Sequence, residues 1–106
     1  MAVEDSTVEY QEILGHPGYA VGSDGSVWSC KVGIRNRNGV WRRLRVRVKA
    51  NGYSYVCLCN GADVKDARVH LLVLRAFVGP CPDDMEACHR DNDATNNCLD
   101  NLRWDT

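Results

Sequence analysis

The stretch Cys88-His89-Arg90-Asp91-Asn92-Asp93-Ala94-Thr95-Asn96-Asn97-Cys98-Leu99-Asp100-Asn101-Leu102-Arg103-Trp104 decides the fold of the chain's last quarter. Its middle, residues 90 to 100, is polar and rich in Asp and Asn, whose side chains bond nearby backbone and so favour turns. The flanking segments, Met85 to His89 and Asn101 to Asp105, read as strands around that loop. The expected unit is a ββ hairpin carrying His89 on one strand and Asn101 on the other. Upstream, Val69, Leu72, Val73, Ala76 and Phe77 recur at the i, i+3, i+4 spacing of an amphipathic helix, and Gly79-Pro80 ends it.

Further toward the N-terminus the period changes to that of strands. Residues 1 to 12 read as a polar arm, and His16-Pro17-Gly18 as a turn. Tyr19 to Val21 and Ser26 to Cys30 read as short strands joined at Ser23-Asp24-Gly25. Trp41 to Lys49 alternates: Leu44, Val46 and Val48 on one side, Arg43, Arg45, Arg47 and Lys49 on the other. Asn51-Gly52 is a hairpin signal with Tyr53 to Cys59 as the return strand, and Asn60-Gly61 turns again. The expected class is α+β: a small antiparallel sheet from residues 19 to 60, one central helix near 69 to 78, and the terminal hairpin.

The chain has 106 residues, the size of one small domain. No apolar run is long enough to span a bilayer. The acidic N-terminus, with Glu4, Asp5 and Glu9, lacks the pattern of a signal peptide, so an intracellular protein is expected. Its six cysteines are then expected to be reduced. Cys57 and Cys59 share a strand face. With Cys81, Cys88 and Cys98 they offer a structural zinc set, or they are small buried hydrophobes.

The formal net charge of −1 hides a segregation. Residues 31 to 49 hold Lys31, Arg35, Arg37, Arg42, Arg43, Arg45, Arg47 and Lys49 without one acid, while acids gather before and after. Such asymmetry points to a polyanion partner. The bland alternative for the arginine face is a solvated strand. By the same weighing Trp28, Trp41 and Trp104 read as core, His70 as a hydrogen-bonded histidine at the core edge, and Asn96 and Asn97 as Asx-type turn residues.

Taken together, these motifs resemble a known family. Gly18-Tyr19-Ala20-Val21-Gly22-Ser23-Asp24-Gly25-Ser26-Val27-Trp28-Ser29 is similar to the "GYEVSNLGRVRS" segment of the small module, commonly called NUMOD4, found before many phage and intron HNH endonucleases. Asn51-Gly52-Tyr53 resembles its "NGY" hairpin, and Val69 to Phe77 its "VHRLVAEAF" helix. Cys88-His89 through Trp104 resembles "NHIDGNKTNNRVENLEW". The resemblance covers about residues 10 to 106, with the motifs in family order. It divides the single domain into a β-rich DNA-contacting part, 10 to 67, and an HNH-like helix and hairpin, 68 to 106.

The resemblance implies a metal-dependent DNA endonuclease, a nickase if monomeric, of phage or bacterial type. His89 would be the general base toward water, which suits an imidazole titrating near neutrality. Asn101 would bond across the hairpin and hold the His89 loop. A divalent ion, Mg²⁺ or Mn²⁺, would act at the phosphate. Cys88 stands where the family commonly has a metal-binding Asp or Asn, and a thiolate there favours Zn²⁺. Asp91 is the other candidate ligand. The family's final metal-binding helix lies beyond the Leu-x-Trp strand, so it is expected to be absent; then Asp91, Asp93 or Asp105 substitutes, or a homodimer or protein partner completes the site, or the site holds no catalytic metal. The competing reading is a catalytically inactive DNA- or protein-binding module, such as a phage-type inhibitor or regulator, that keeps the hairpin.

Overall fold

The computed structural model describes residues 8–32, 36–60 and 62–106. Nine strands and one α-helix form an α+β fold among these residues. A four-stranded antiparallel sheet comes first, from β1 (Tyr10–Glu12), β2 (Tyr19–Gly22), β3 (Val27–Ser29) and β4 (Arg42–Arg43) in that order. A three-stranded sheet follows, from β5 (Arg47–Val48), β6 (Ser54–Asn60) and β7 (Asp63–Arg68). Helix α1 (Val69–Phe77) leads to the terminal hairpin of β8 (Glu86–His89) and β9 (Leu102–Asp105).

The β2–β3 hairpin forms where Ser23-Asp24-Gly25 was expected to turn, because Asp24 Oδ1 accepts from Ser26 N and Gly25 takes a positive φ of 87°. The β5–β6 hairpin turns at Asn51-Gly52, with Gly52 N donating to Lys49 O at 2.8 Å. The expected turn at Gly61 lies outside the described residues, as do Arg35 and residues 1 to 7.

Two expectations for the sheets fail. Trp41 to Lys49 is not one strand. Arg42–Arg43 pairs with β3, Leu44 N then donates to Val27 O, and the chain crosses to pair Arg47–Val48 with β6. Leu44 packs on the core, whereas Val46 and Val48 are exposed, so the alternation marks no continuous buried face. The polar segment Asp63–Arg68, read as no element, is a strand paired residue for residue with β6. Its side chains are mostly exposed, so it carried no apolar period. Tyr10–Glu12, read within the polar arm, is an edge strand on β2.

Helix α1 sits at the centre. Val69, Leu72, Val73 and Leu74 are buried and meet Val21, Val27, Val56, Leu58 and Leu102 from all three sheets. The helix ends as Gly79-Pro80 predicts: Val78 N and Gly79 N both donate to Leu74 O, and Gly79 has φ 128°. Tyr19 ties the two larger sheets together, its hydroxyl donating to Cys59 O and accepting from Cys59 N at 2.8 Å. Trp104 packs on the core as expected and donates to Gly79 O, but Trp41 is exposed. No helix among the described residues is long and apolar enough to cross a membrane.

Candidate functional site

Loop 90–98 is built from its own polar side chains. Asp91 Oδ1 accepts from Asp93 N at 2.8 Å and from Asn101 Nδ2 at 2.9 Å, and Asp91 Oδ2 accepts from Asn96 Nδ2 at 2.8 Å. Asn101 Nδ2 also donates to Asn96 O, while Asn101 Oδ1 accepts from Asp91 N. Asn101 thus uses both ends of its amide across the hairpin. It does so from a 3-10 turn, Leu99–Asn101, one residue before β9 rather than on the strand. The bonds from Asn96, the Asp93 backbone and Asn101 hold the Asp91 carboxyl down at about 2. Asn92 takes φ 61°, a conformation Asn tolerates, and its N–H donates to His89 O.

His89 ends β8, half-buried, beside this loop. Its Nε2 lies 2.9 Å from Asn97 Oδ1. In the tautomer that makes this a hydrogen bond, Nε2 donates and Nδ1 keeps its lone pair. Asn97 is buried, and it partners His89 where the sequence reading placed an Asx turn.

Behind His89 stands a cluster that sequence reasoning missed. The His70 ring is 5.0 Å from the His89 ring and stacks on Tyr53 at 5.1 Å. The Arg68 guanidinium lies 5.3 Å from the Tyr53 ring centre. His70 is not the satisfied histidine expected at the core edge. It is only 4% exposed, and its Nδ1 has no hydrogen-bond partner. Burial, then the charges of His89, Arg68 and Arg75, push its imidazole from 6.5 down to about 4. The unfolded chain therefore takes up a proton near pH 6.5 that the folded chain resists until about pH 4. His70 lets the fold keep full stability above about pH 6.5 and erodes it as pH falls toward 4. The melting temperature of wild type should drop over that interval more steeply than that of His70→Phe, which keeps a flat ring against Tyr53. Parallel pH profiles would count against this assignment.

The expected metal donors do not converge. No three of His, Cys, Asp and Glu among the described residues stand together so as to hold a metal ion. Asp91 spends both carboxylate oxygens inside the loop. Cys88 Sγ is 3.8 Å from Glu86 O. The zinc set is likewise dispersed: Cys81 Sγ donates to Met85 O, and Cys98 Sγ to Asp24 O on the β2–β3 turn. Cys57 and Cys59 are neighbours on β6, where burial, then Cys59, raises the Cys57 thiol. Nor are the cysteines the buried hydrophobes of the alternative reading; Cys57, Cys59, Cys81 and Cys98 are exposed. These donors do not fit a resident hard cation.

The basic ribbon is divided. Arg42, Arg43 and Arg45 border a cleft of about 360 Å³ that Lys31 also lines. Lys31 Nζ donates to Cys59 O and rests 5.3 Å from the Tyr19 ring centre. Arg37 lies exposed in the preceding turn. Arg47 and Lys49 sit apart on or beside β5, both bonded to Asp66, at 2.6 Å and 2.7 Å. The β2–β3 turn contacts the loop beside His89. Leu99 N donates to Ser23 O at 2.8 Å. A Cβ on Gly25 would come within 2.9 Å of Asn97 O.

Comparison with known proteins agrees with this geometry. Residues 67–106 match the HNH endonuclease family. Over 100 residues, 93% of its length, the chain is 31% identical to DNA endonuclease I-HmuI of Bacillus phage SP01. A solved structure concerning DNA binding and cleavage by the HNH homing endonuclease I-HmuI superposes with a TM-score of 0.78 at 30% identity, over 92% of this chain. The chain spans about half the length of these relatives, 53% of the curated protein and 52% of the solved chain. Residues 67–106 are thus similar to the HNH endonuclease family, within a chain that is similar to I-HmuI over nearly all of its own length.

Proposed function

We propose that this chain is a DNA endonuclease unit that nicks double-stranded DNA, with His89 as the general base. The observation that carries the reading is the His89–Asn97 pair at the mouth of a loop braced by Asn101. Asn97 holds the ring by Nε2, which leaves Nδ1 to take a proton from an attacking water. Asn101 acts one step removed. It fixes Asp91 and Asn96, and with them the path of the loop past His89. The similarity to I-HmuI, a DNA endonuclease with a solved structure of DNA binding and cleavage, supports DNA as the substrate.

Residues 10–67 serve as the NUMOD4-type DNA-contacting part and residues 68–106 as the HNH part. Arg37, Arg43 and Arg45 are the side chains assigned to backbone phosphates. Phosphate contacts of this kind grip without reading sequence. HNH endonucleases generally use divalent metals.

The test is nicking of supercoiled plasmid by the wild-type chain in Mg²⁺, Mn²⁺ or Zn²⁺, and with chelator. Conversion to open circles supports the reading. Intact plasmid under every condition, alongside salt-dependent DNA binding, would overturn it in favour of a silent HNH relative. Binding itself has a separate check. Arg43→Ala with Arg45→Ala should weaken DNA affinity on all sequences and flatten its salt dependence by about 0.9 per lost phosphate contact in the log–log slope. An unchanged slope would move the DNA face elsewhere.

A further inference from the structure

The outer face of the β5–β7 sheet carries more than an ion-pair cluster. The register pairs Arg47 with Tyr55 and Tyr55 with Arg68, which puts these three on one face. Lys49, two residues after Arg47, and Asp66, two before Arg68, lie on the same side. The Lys49 ammonium covers the Tyr55 ring at 4.2 Å, and Arg68 Nε donates to the Tyr55 hydroxyl at 3.1 Å. Asp66 is the acid that faces these cations. One carboxylate oxygen is bonded to Arg47 Nη2 at 2.6 Å and the other to Lys49 Nζ at 2.7 Å. These bonds and charges hold its carboxyl below the usual range.

A carboxylate gripped from both oxygens by an Arg and a Lys occupies the position of a phosphodiester, which would present two oxygens to the same donors. Arg47 and Lys49 are about half exposed, so DNA can reach them from solvent. We infer that Arg47 and Lys49 form a backbone-phosphate site on DNA and that Asp66 is its built-in competitor, limiting how tightly the ribbon holds nucleic acid. The inference rests on DNA being the partner. It explains how a run of eight basic residues can bind without clamping every duplex it meets. Each duplex phosphate entering this site must displace an intramolecular anion already in place. That lowers sequence-independent affinity at Arg47 and Lys49.

The experiment compares wild type, Asp66→Asn and Asp63→Asn in DNA binding across a salt series. Asp63 is exposed, falls on the opposite side of β7 by strand alternation, and makes no ion pair among the described residues. Its replacement changes the net charge equally without opening the site. Asp66→Asn should lower Kd several-fold at low salt and steepen the log–log salt slope by about 0.9 for each phosphate newly bound. Asp63→Asn should leave the slope as in wild type. Adding Arg47→Ala and Lys49→Ala to Asp66→Asn should abolish the gain. Wild-type binding with an unchanged Asp66→Asn slope overturns the inference, as does an equal gain from Asp63→Asn. A wild-type chain that binds no DNA overturns the parent reading first. Matching melting curves for the two Asn variants show that the comparison is between folded proteins.

Discussion

His89→Ala should reduce plasmid nicking by about 10²- to 10⁴-fold, the usual contribution of a positioned general base. The loop would survive the change, because its bracing bonds run among Asp91, Asp93, Asn96 and Asn101, and of its side chains Asn97 alone is bonded to the imidazole among the described residues. DNA affinity should therefore stay near wild type while turnover collapses. Asn97→Ala should sit between the two, since the ring remains but loses the partner that orients Nε2. Nicking by His89→Ala at the wild-type rate would remove the imidazole from the chemistry and leave the hairpin as a binding element.

Leu74→Ala should cost about 2–5 kcal/mol, the range for deleting a well-packed core side chain. Leu74 is fully buried where α1 meets the sheets, so little can collapse into the vacated space. In a domain of this size each kcal/mol lowers the melting temperature by about 4–8 °C, which makes the loss plain in a thermal scan. Val78→Ala, one turn on and exposed, is the matched control and should change stability by less than about 0.5 kcal/mol. A Leu74→Ala protein melting with wild type would refute the central position of the helix.

The elements that announced themselves were those whose local chemistry and tertiary role agree. The helix from Val69, the stop at Gly79-Pro80, the turns at Asp24-Gly25 and Asn51-Gly52 and the terminal hairpin all form, with Asn101 just before the second strand rather than on it. β7 did not announce itself, because Asp63, Lys65, Asp66 and Arg68 stabilise a strand only through the neighbour it pairs with. The division of Trp41 to Lys49 between two sheets was invisible for a related reason: alternation says which side a residue takes, not which sheet. At the site, His89 and Asn101 were legible from motif order. Asn97, Tyr53 and His70 were not. They meet His89 from a loop, the residue before β6 and a helix, across sequence separations that carry no periodic signal. The pairing of Arg47 and Lys49 with Asp66 was equally hidden, since the acid lies seventeen residues beyond Lys49.

The turn at Ser23-Asp24-Gly25 has a mechanical meaning. It closes the hairpin whose second strand, β3, pairs with Arg42–Arg43, and it also touches Asn97, Cys98 and Leu99 beside His89. Gly25 leaves no slack there, since even a methyl group would strike the Asn97 carbonyl. On the proposed reading, the arginine-bearing strands and the His89 hairpin are thus riveted together rather than hinged. In a nuclease built this way the cut would fall a set number of nucleotides from the phosphates held by the arginines. A ruler of that kind measures DNA without reading its letters.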